Sequence, residues 1–236
     1  KMILTDDNFG TLVEAIRLGR TIYDKIVSYV RYQMATLFSL VLLFLVSSIL
    51  DINNGTPITP LMVLFLSFFI TFFPVIVIPL DPSPAGLMRQ PPRDTKVPLA
   101  NARSIGQWLL YGVAIFAVAV AAMLVSPGTP SQTEPSVPVT MTFVVLSLGS
   151  VLAGFAMRRD PGSGLAAPIS NALKWMWIPI VLTVLSVELD FMNALLMTTP
   201  LDAAQWWLAI GLALIPPIVV EVDKLIRRSL ASRAAA

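Results

Sequence analysis

Six long apolar runs constrain the fold of this sequence more than any other feature. They cover residues 33–50, 61–80, 108–125, 139–157, 173–187 and 203–220. Each comes near the ~20 apolar residues that an α-helix needs to cross ~30 Å of hydrocarbon, and none alternates as a membrane β-strand does. A soluble helical bundle is the alternative, but its helices would keep a polar face, which these runs lack. We therefore predict an all-α, polytopic membrane protein with six transmembrane helices.

The composition agrees with a membrane protein and excludes several kinds of chemistry. Charged residues make up only 13% of the chain, against about 25% in a typical soluble domain. The chain has no cysteine and no histidine, so disulfides, thiolate or imidazole metal sites and Ser–His catalysis are impossible within it. Its basic residues lie in short clusters between apolar runs, which indicates the lipid bilayer as a partner and argues against nucleic acid.

The distribution of basic residues predicts the orientation. If the N-terminal segment lies in the cytoplasm, the outer loops are 51–60, 126–138 and 188–200, and none contains a lysine or arginine. All 16 basic residues then fall on the cytoplasmic side or at that interface. This one-sided count is the positive-inside pattern, and it predicts that both ends of the chain are cytoplasmic.

The segment before the first apolar run is predicted to be a helical stalk. Apolar residues recur at helical spacing from Phe9 to Ile16 and again from Ile22 to Val30, with Gly19 as a predicted break between them. The second pattern continues into the first span without interruption. Because the chain starts with a lysine and no signal peptide follows, we expect an internal piece of a longer polypeptide.

Four sequence strings carry a resemblance to a known family. They are LTDDNFGTLVEAIRLGRTIYDKI at 4–26, MRQPPR at 88–93, LDAAQW at 201–206 and VEVDKLIRR at 220–228. In this order and spacing they resemble the C-terminal membrane region of P-type (E1–E2) cation-transporting ATPases, most closely the calcium-pump-like branch. The resemblance implies that the six spans are helices five to ten of such a pump.

The resemblance also implies a domain division and a function. Residues 1–32 would be the end of the phosphorylation domain and the stalk, and residues 33–236 the transmembrane domain. The chain would be the transport region of an ATP-driven cation pump of the plasma membrane, with the upstream catalytic part and a transported cation as partners. The phosphorylated aspartate, the nucleotide site and helices one to four would lie upstream, so ATP and Mg²⁺ belong to the full-length enzyme and this fragment needs no cofactor of its own.

The chain departs from the family at the positions that bind the ion. In the calcium-pump branch the ligands are mostly Asn, Asp and Glu, and the aligned positions here are Leu37, Leu40, Ser67, Ile70, Thr71 and, nearby, Val151. None is a carboxylate, so those roles are not carried over and the metal ligands stay unknown. Two alternatives remain open: a pump whose cargo is not a hard divalent cation, or a non-catalytic membrane scaffold descended from a pump.

The best local candidates for a transport path lie in the second span. Ser67 and Thr71 are four residues apart and share one helix face. Pro74 has no N–H, so it frees a backbone carbonyl one turn earlier, near Ile70. Freed carbonyls at broken helices coordinate ions in transporters. The alternative is that each hydroxyl hydrogen-bonds to the preceding turn of its own helix.

Two pairs of carboxylates stand at span ends. Glu188 and Asp190, at the outer end of the fifth span, are two residues apart and therefore point to different helix faces. We predict that they are solvated interface charges, and we read Glu221 and Asp223 at the inner end in the same way. Basic residues stand close to the inner pair as possible partners: Lys224, Arg227 and Arg228.

Overall fold

The computed structural model describes most of the chain. The described residues are 9–80, 87–89, 98–131, 133–158 and 170–234, with no side chain described at 170–173, 231 and 234. Every regular element within these ranges is helical. The predicted all-α, polytopic membrane fold is therefore confirmed.

Helix α1, Phe9–Ile49, is a single helix of 41 residues that contains both the predicted stalk and the first span. The predicted break at Gly19 was wrong, because α1 passes through that residue without interruption. A single exposed glycine costs about 1 kcal/mol relative to alanine in a helix, which does not end a helix that both flanks favour. The segment predicted as a stalk and the first span thus form one continuous helix.

The second span is broken into three segments. Helix α2 covers Pro60–Phe65, a π-helical turn covers Leu66–Ile70, and helix α3 covers Phe72–Leu80. Thr59 caps α2, since its side chain accepts a hydrogen bond from the Met62 N–H. A short 3₁₀ turn at Ile52–Gly55 connects α1 to this span.

The remaining spans follow in order. Their helices are α4 Ala102–Val125, α5 Val137–Met157, α6 Ser170–Glu188, α7 Asp190–Leu196, α8 Ala203–Ala213 and α9 Ile215–Ala234. Five spans in the described residues are long and apolar enough to cross a membrane, with α8 and α9 together forming one of them. Helices α6 and α7 form a sixth only as a pair bent by 87°. The fifth predicted span is thus shorter than the others and turns sharply at its outer end.

Helix α5 lies at the centre of the bundle. In its most apolar stretch of 18 residues, 89% of the residues are buried. Its glycines permit close approach: a Cβ at Gly154 would lie 2.7 Å from the Tyr32 ring of α1 and 2.9 Å from Pro74 Cβ of α3. Gly112 of α4 plays the same part against α1, where a Cβ would lie 2.7 Å from Phe38 Cβ. Small residues at such crossings let membrane helices pack closely.

Candidate functional site

The break in the second span places an irregular backbone against the central helix. The Thr71 N–H donates to the Leu66 carbonyl at 2.8 Å, five residues back instead of four. Because Pro74 has no N–H, the Ile70 carbonyl cannot receive the regular helical bond from it. Ile70 and Pro74 are both buried, and Pro74 packs at Gly154 of α5. Single π-turns of this kind occur often at functional sites.

The two candidate hydroxyls of this segment lie away from the buried side. Ser67 is exposed and its Oγ donates to the Val63 carbonyl at 2.8 Å, while Thr71 is half-buried and its Oγ1 donates to the Ser67 carbonyl at 3.0 Å. Each hydroxyl proton therefore bonds to the helix's own backbone, which leaves the oxygen lone pairs as acceptors. The four candidate residues of the transport path thus lie on two faces of the span, Ser67 and Thr71 on one and Ile70 and Pro74 on the other. Their role in a transport path stays a prediction.

The other positions that align with the family's ion ligands carry apolar side chains. Leu37 is 50% exposed on α1, Leu40 packs against the core, and Val151 on α5 is fully buried. Next to it, Ser150 donates to the Leu146 carbonyl at 2.6 Å. One turn earlier, Ser147 is fully buried and its Oγ has no hydrogen-bond partner within the described residues.

The membrane interior thus offers neutral oxygen ligands. Within the described ranges, carboxylates do not gather in groups of three or more that could hold a metal. Most other buried hydroxyls donate to the turn before them, as Thr36, Thr142 and Thr183 do at 2.8–3.1 Å. Such oxygens can complete the shell of a cation but cannot neutralise a double charge.

A buried polar cluster at the inner end was missed from the sequence. The Asp223 carboxylate of α9 accepts hydrogen bonds at Oδ2 from Tyr111 Oη at 2.6 Å, Arg227 Nε at 2.7 Å and Gln107 Nε2 at 3.2 Å. Only 13% of the Asp223 side chain is exposed. The prediction that Asp223 is a solvated interface charge was therefore wrong, although its predicted partner Arg227 is confirmed.

The neighbouring Lys224 ties α9 to a third helix. It is buried, donates to the Ala156 carbonyl in the last turn of α5, and forms an ion pair with Glu221 at 2.7 Å. A cation at a helix C-terminus is favourable because the free carbonyls there carry partial negative charge. Glu221 itself is 40% exposed, as predicted for an interface charge. Helix α9 therefore joins the inner ends of α4 and α5.

A signal for this cluster was present in the sequence. Gln107 and Tyr111 are four residues apart, as are Asp223 and Arg227, so each pair lies on one helix face. Two polar pairs at the same predicted membrane depth suggest an interhelical network. The spacing does not say that α4 and α9 are neighbours, which is a property of the tertiary structure.

The outer end carries a second polar network, around the bend between α6 and α7. Glu188 at the end of α6 is exposed and accepts a hydrogen bond from Trp206 Nε1 of α8 at 3.0 Å. Asp190 is exposed in the first turn of α7. Both carboxylates therefore stand at the end of the span, as predicted, and their location on the outer side of the membrane stays a prediction.

Residues 196–199, which we call the outer strap, link three helices. Thr198 Oγ1 donates to the Ser186 carbonyl of α6 at 2.7 Å. The Thr199 N–H donates to Thr140 Oγ1 of α5 at 3.1 Å, and Thr59 Oγ1, the cap of α2, approaches the Leu196 carbonyl at 3.4 Å. The strap therefore lies across the outer ends of α2, α5 and α6.

A cavity of about 160 Å³ opens beside the start of α2. It is lined by Asn53, Thr56, Ile58, Thr59, Pro60, Ser131 and Val139. The lining contributes hydroxyl and amide groups and no charged side chain. Thr59 borders both this cavity and the outer strap.

A family model described as "Cation transporting ATPase, C-terminus" matches residues 55–226. A calcium-transporting ATPase of Listeria monocytogenes is 26% identical over 232 residues, which covers 96% of this chain and 25% of that protein. A probable cation-transporting ATPase F of Mycobacterium bovis is 24% identical over 233 residues, with the same coverage of 96% and 25%.

One further relative matches only part of the chain. The P-type sodium-transporting ATPase4 of Plasmodium falciparum is 32% identical over 113 residues, covering 48% of this chain and 8% of that protein. The chain spans about a quarter of the length of the curated bacterial relatives it matches.

Proposed function

The chain belongs to the family of cation-transporting ATPase C-termini, and from that membership we propose that it forms the C-terminal transmembrane transport region of an ATP-driven P-type cation pump. The match to pumps that are about four times longer supports a catalytic part elsewhere in the polypeptide. In this proposal ATP and Mg²⁺ bind to that upstream part, and the described helices conduct the cation.

The observation that carries the proposal is the continuity of α1. At 1.5 Å per residue its 41 residues extend about 60 Å, twice the ~30 Å thickness of the hydrocarbon core. About half of the helix therefore projects beyond the membrane. A rigid helix of this kind transmits movement from a catalytic domain to the membrane, which is the task proposed for residues 1–32 as the stalk and the end of the phosphorylation domain.

We further propose that the pump resides in the plasma membrane with both chain ends in the cytoplasm. The one-sided distribution of the 16 basic residues supports this orientation. Residues 33–236 form the transmembrane domain, so the boundary at residue 32 lies inside α1 and not at a break between two helices.

For the cargo, the structure favours a cation that does not depend on carboxylates from this chain. Ser67 and Thr71 lie on a face of the second span that the described residues leave partly open. In a longer polypeptide an upstream helix can cover that face and supply an acidic ligand. Otherwise the cargo is a cation other than a hard divalent ion, for which neutral oxygens suffice.

The test uses the full-length polypeptide reconstituted in vesicles. We expect a phosphoenzyme to form from labelled ATP and to depend on one cation among a panel of calcium, magnesium, manganese, sodium and potassium. Residues 1–236 expressed alone should hydrolyse no ATP. Full-length protein that forms no phosphoenzyme with any of these cations, and moves none, would instead indicate a non-catalytic scaffold.

A further inference from the structure

The three contacts of the outer strap are unequal. Thr198 is 1% exposed, and its hydroxyl lies 2.7 Å from both the Ser186 carbonyl of α6 and Asn193 Oδ1 of α7. The Thr199 bond to Thr140 is of ordinary length at 3.1 Å, whereas Thr59 meets the Leu196 carbonyl only at 3.4 Å. Hydrogen bonds weaken toward that length. The strap is therefore held most firmly by α5 and α6, and least firmly by α2.

The helices under the strap also differ in their freedom to move. Helix α5 is uninterrupted and almost completely buried, so it is pinned by neighbours on all sides. Helix α2 is a six-residue segment that ends in a π-turn. In the most apolar 18 residues of its span, Pro60–Leu80, only 39% of the residues are buried. Irregular turns are where helices bend. A relative movement between strap and span would therefore open the contact between Thr59 and Leu196.

The surroundings of this contact suit a passing cation. On one side of Thr59 lies the cavity of about 160 Å³, whose Asn53, Thr56 and Ser131 supply neutral oxygens. The Leu196 carbonyl that Thr59 meets belongs to a residue with an apolar side chain, which is only 2% exposed. From Thr59 the helix leads to Ser67, eight residues and about 12 Å deeper in the membrane.

We propose that the contact between Thr59 and Leu196 is the outer gate of the cation path. The outer strap stays attached to α5 and α6, and α2 separates from it when the path opens to the outside. The cavity beside Thr59 is the vestibule in which the cation exchanges part of its hydration water for the oxygens of the lining. This inference rests on the proposed function, since a gate requires a transported ion.

The experiment cross-links the gate in the full-length pump. The 236 residues contain no cysteine, so introduced pairs are unambiguous once cysteines elsewhere in the polypeptide have been replaced. Thr59→Cys with Leu196→Cys, joined by a short reversible thiol cross-linker, should lower cation transport at least tenfold. Phosphoenzyme formation should persist, and reduction should restore transport. The matched control, Thr140→Cys with Thr199→Cys, joins the strap to α5 and should leave transport within twofold of the parent.

A second measurement keeps the Thr59 cap intact. A single Leu196→Cys should react slowly with a thiol reagent in the resting pump, because the residue is buried. Trapping the pump as a phosphoenzyme with inorganic phosphate in the absence of cation should accelerate the reaction at least fivefold. An unchanged rate contradicts the proposal, as does a pump that transports normally with the Thr59–Leu196 pair cross-linked, or a pair that cannot be cross-linked at all.

The outcomes separate the two proposals. A parent protein that forms no phosphoenzyme and moves no cation refutes the proposed function, and the gate with it. A parent that transports, while the Leu196 cysteine reacts equally in both states, refutes the gate alone. Equal inhibition by both cross-links would show that the strap works as a single static cap, which also contradicts a gate at Thr59.

Discussion

Asp223 is the side chain whose environment differs most from its sequence context. It stands in a run of charged residues near the end of the last span, yet its carboxylate accepts bonds from Tyr111 and Gln107 of another helix. Hydrogen bonds to a charged group contribute about 1.5–3 kcal/mol each. The cluster is therefore an energetically important junction between α4 and α9.

We predict that Tyr111→Phe and Asp223→Asn are coupled in their effect on stability. Each should lower the free energy of unfolding in detergent by about 1–3 kcal/mol, and the double variant should lose less than the sum, because both remove the same bond. Thermal unfolding of the four proteins measures the coupling. Glu221→Gln is the control and should have a smaller effect, since Glu221 is 40% exposed. Strict additivity of Tyr111→Phe and Asp223→Asn would contradict the shared bond.

The hydroxyls of the second span lead to a prediction about calcium. Moving even a single charge into a low-dielectric interior costs of order 20 kcal/mol before relaxation, and Ser67 and Thr71 bring no negative charge to offset it. We expect residues 1–236 purified in detergent to show no saturable binding of radioactive calcium at micromolar concentrations. Stoichiometric binding that Thr71→Ala abolishes, but Glu188→Gln and Glu221→Gln do not, would refute this expectation.

The helices pack around α5, and glycine determines how closely they approach it. At Gly154 the nearest atoms to an added Cβ belong to the Tyr32 ring and to Pro74, both of them buried. Neither obstacle can move aside easily, because a ring packed on all sides and a proline in a helix are both confined. The crossing of α1, α3 and α5 therefore depends on the missing side chain.

We predict that Gly154→Ala destabilises the bundle by about 1–3 kcal/mol, the usual cost of overpacking. The matched control is Gly106→Ala on α4, where an added Cβ meets nothing within 4 Å. That substitution should be neutral or stabilise by up to about 1 kcal/mol, because alanine favours helix more than glycine does. Thermal unfolding in detergent compares them, and equal losses would show that helix propensity, not packing, governs both sites.

The outer and inner ends of the molecule are held together by different kinds of interaction. Basic residues are concentrated at the inner side, where Arg227 pairs with Asp223 and Lys224 pairs with Glu221. The outer side is held together by hydroxyls, carbonyls and the Glu188–Trp206 bond. This asymmetry is the basis of the predicted orientation, since positive charge is retained on the cytoplasmic face.

Labelling of single cysteines in intact cells tests that orientation. Thr133 lies exposed in the loop between α4 and α5, and Ser232 lies exposed near the end of α9. A membrane-impermeant thiol reagent should label Thr133→Cys from outside, and Ser232→Cys only after the cells are permeabilised. Labelling of Ser232→Cys in intact cells would reverse the topology.

The apolar runs were sufficient to predict the helical membrane fold, because a backbone in hydrocarbon must satisfy its own hydrogen bonds and a helix does so locally. The positions of Glu188 and Asp190 at a span end followed from the same pattern. The continuity of α1 through Gly19 was not predicted, because whether a helix ends at a glycine depends on how strongly the residues on both sides of it favour helix. The MRQPPR string at 88–93 lies only partly within the described residues, so most of it stays a feature of the sequence.

Tertiary contacts decided which residues meet. The sequence placed Ser67, Ile70, Thr71 and Pro74 in one span. In the folded bundle Ile70 and Pro74 are buried, whereas Ser67 is exposed and Thr71 is half-buried. Asp223 met Tyr111 only because α9 packs beside α4, more than a hundred residues away in the chain. The local sequence pattern determines the helices because helical hydrogen bonds join residues that are close in sequence. Burial depends on neighbours that are distant in sequence, and only the folded bundle brings those neighbours together.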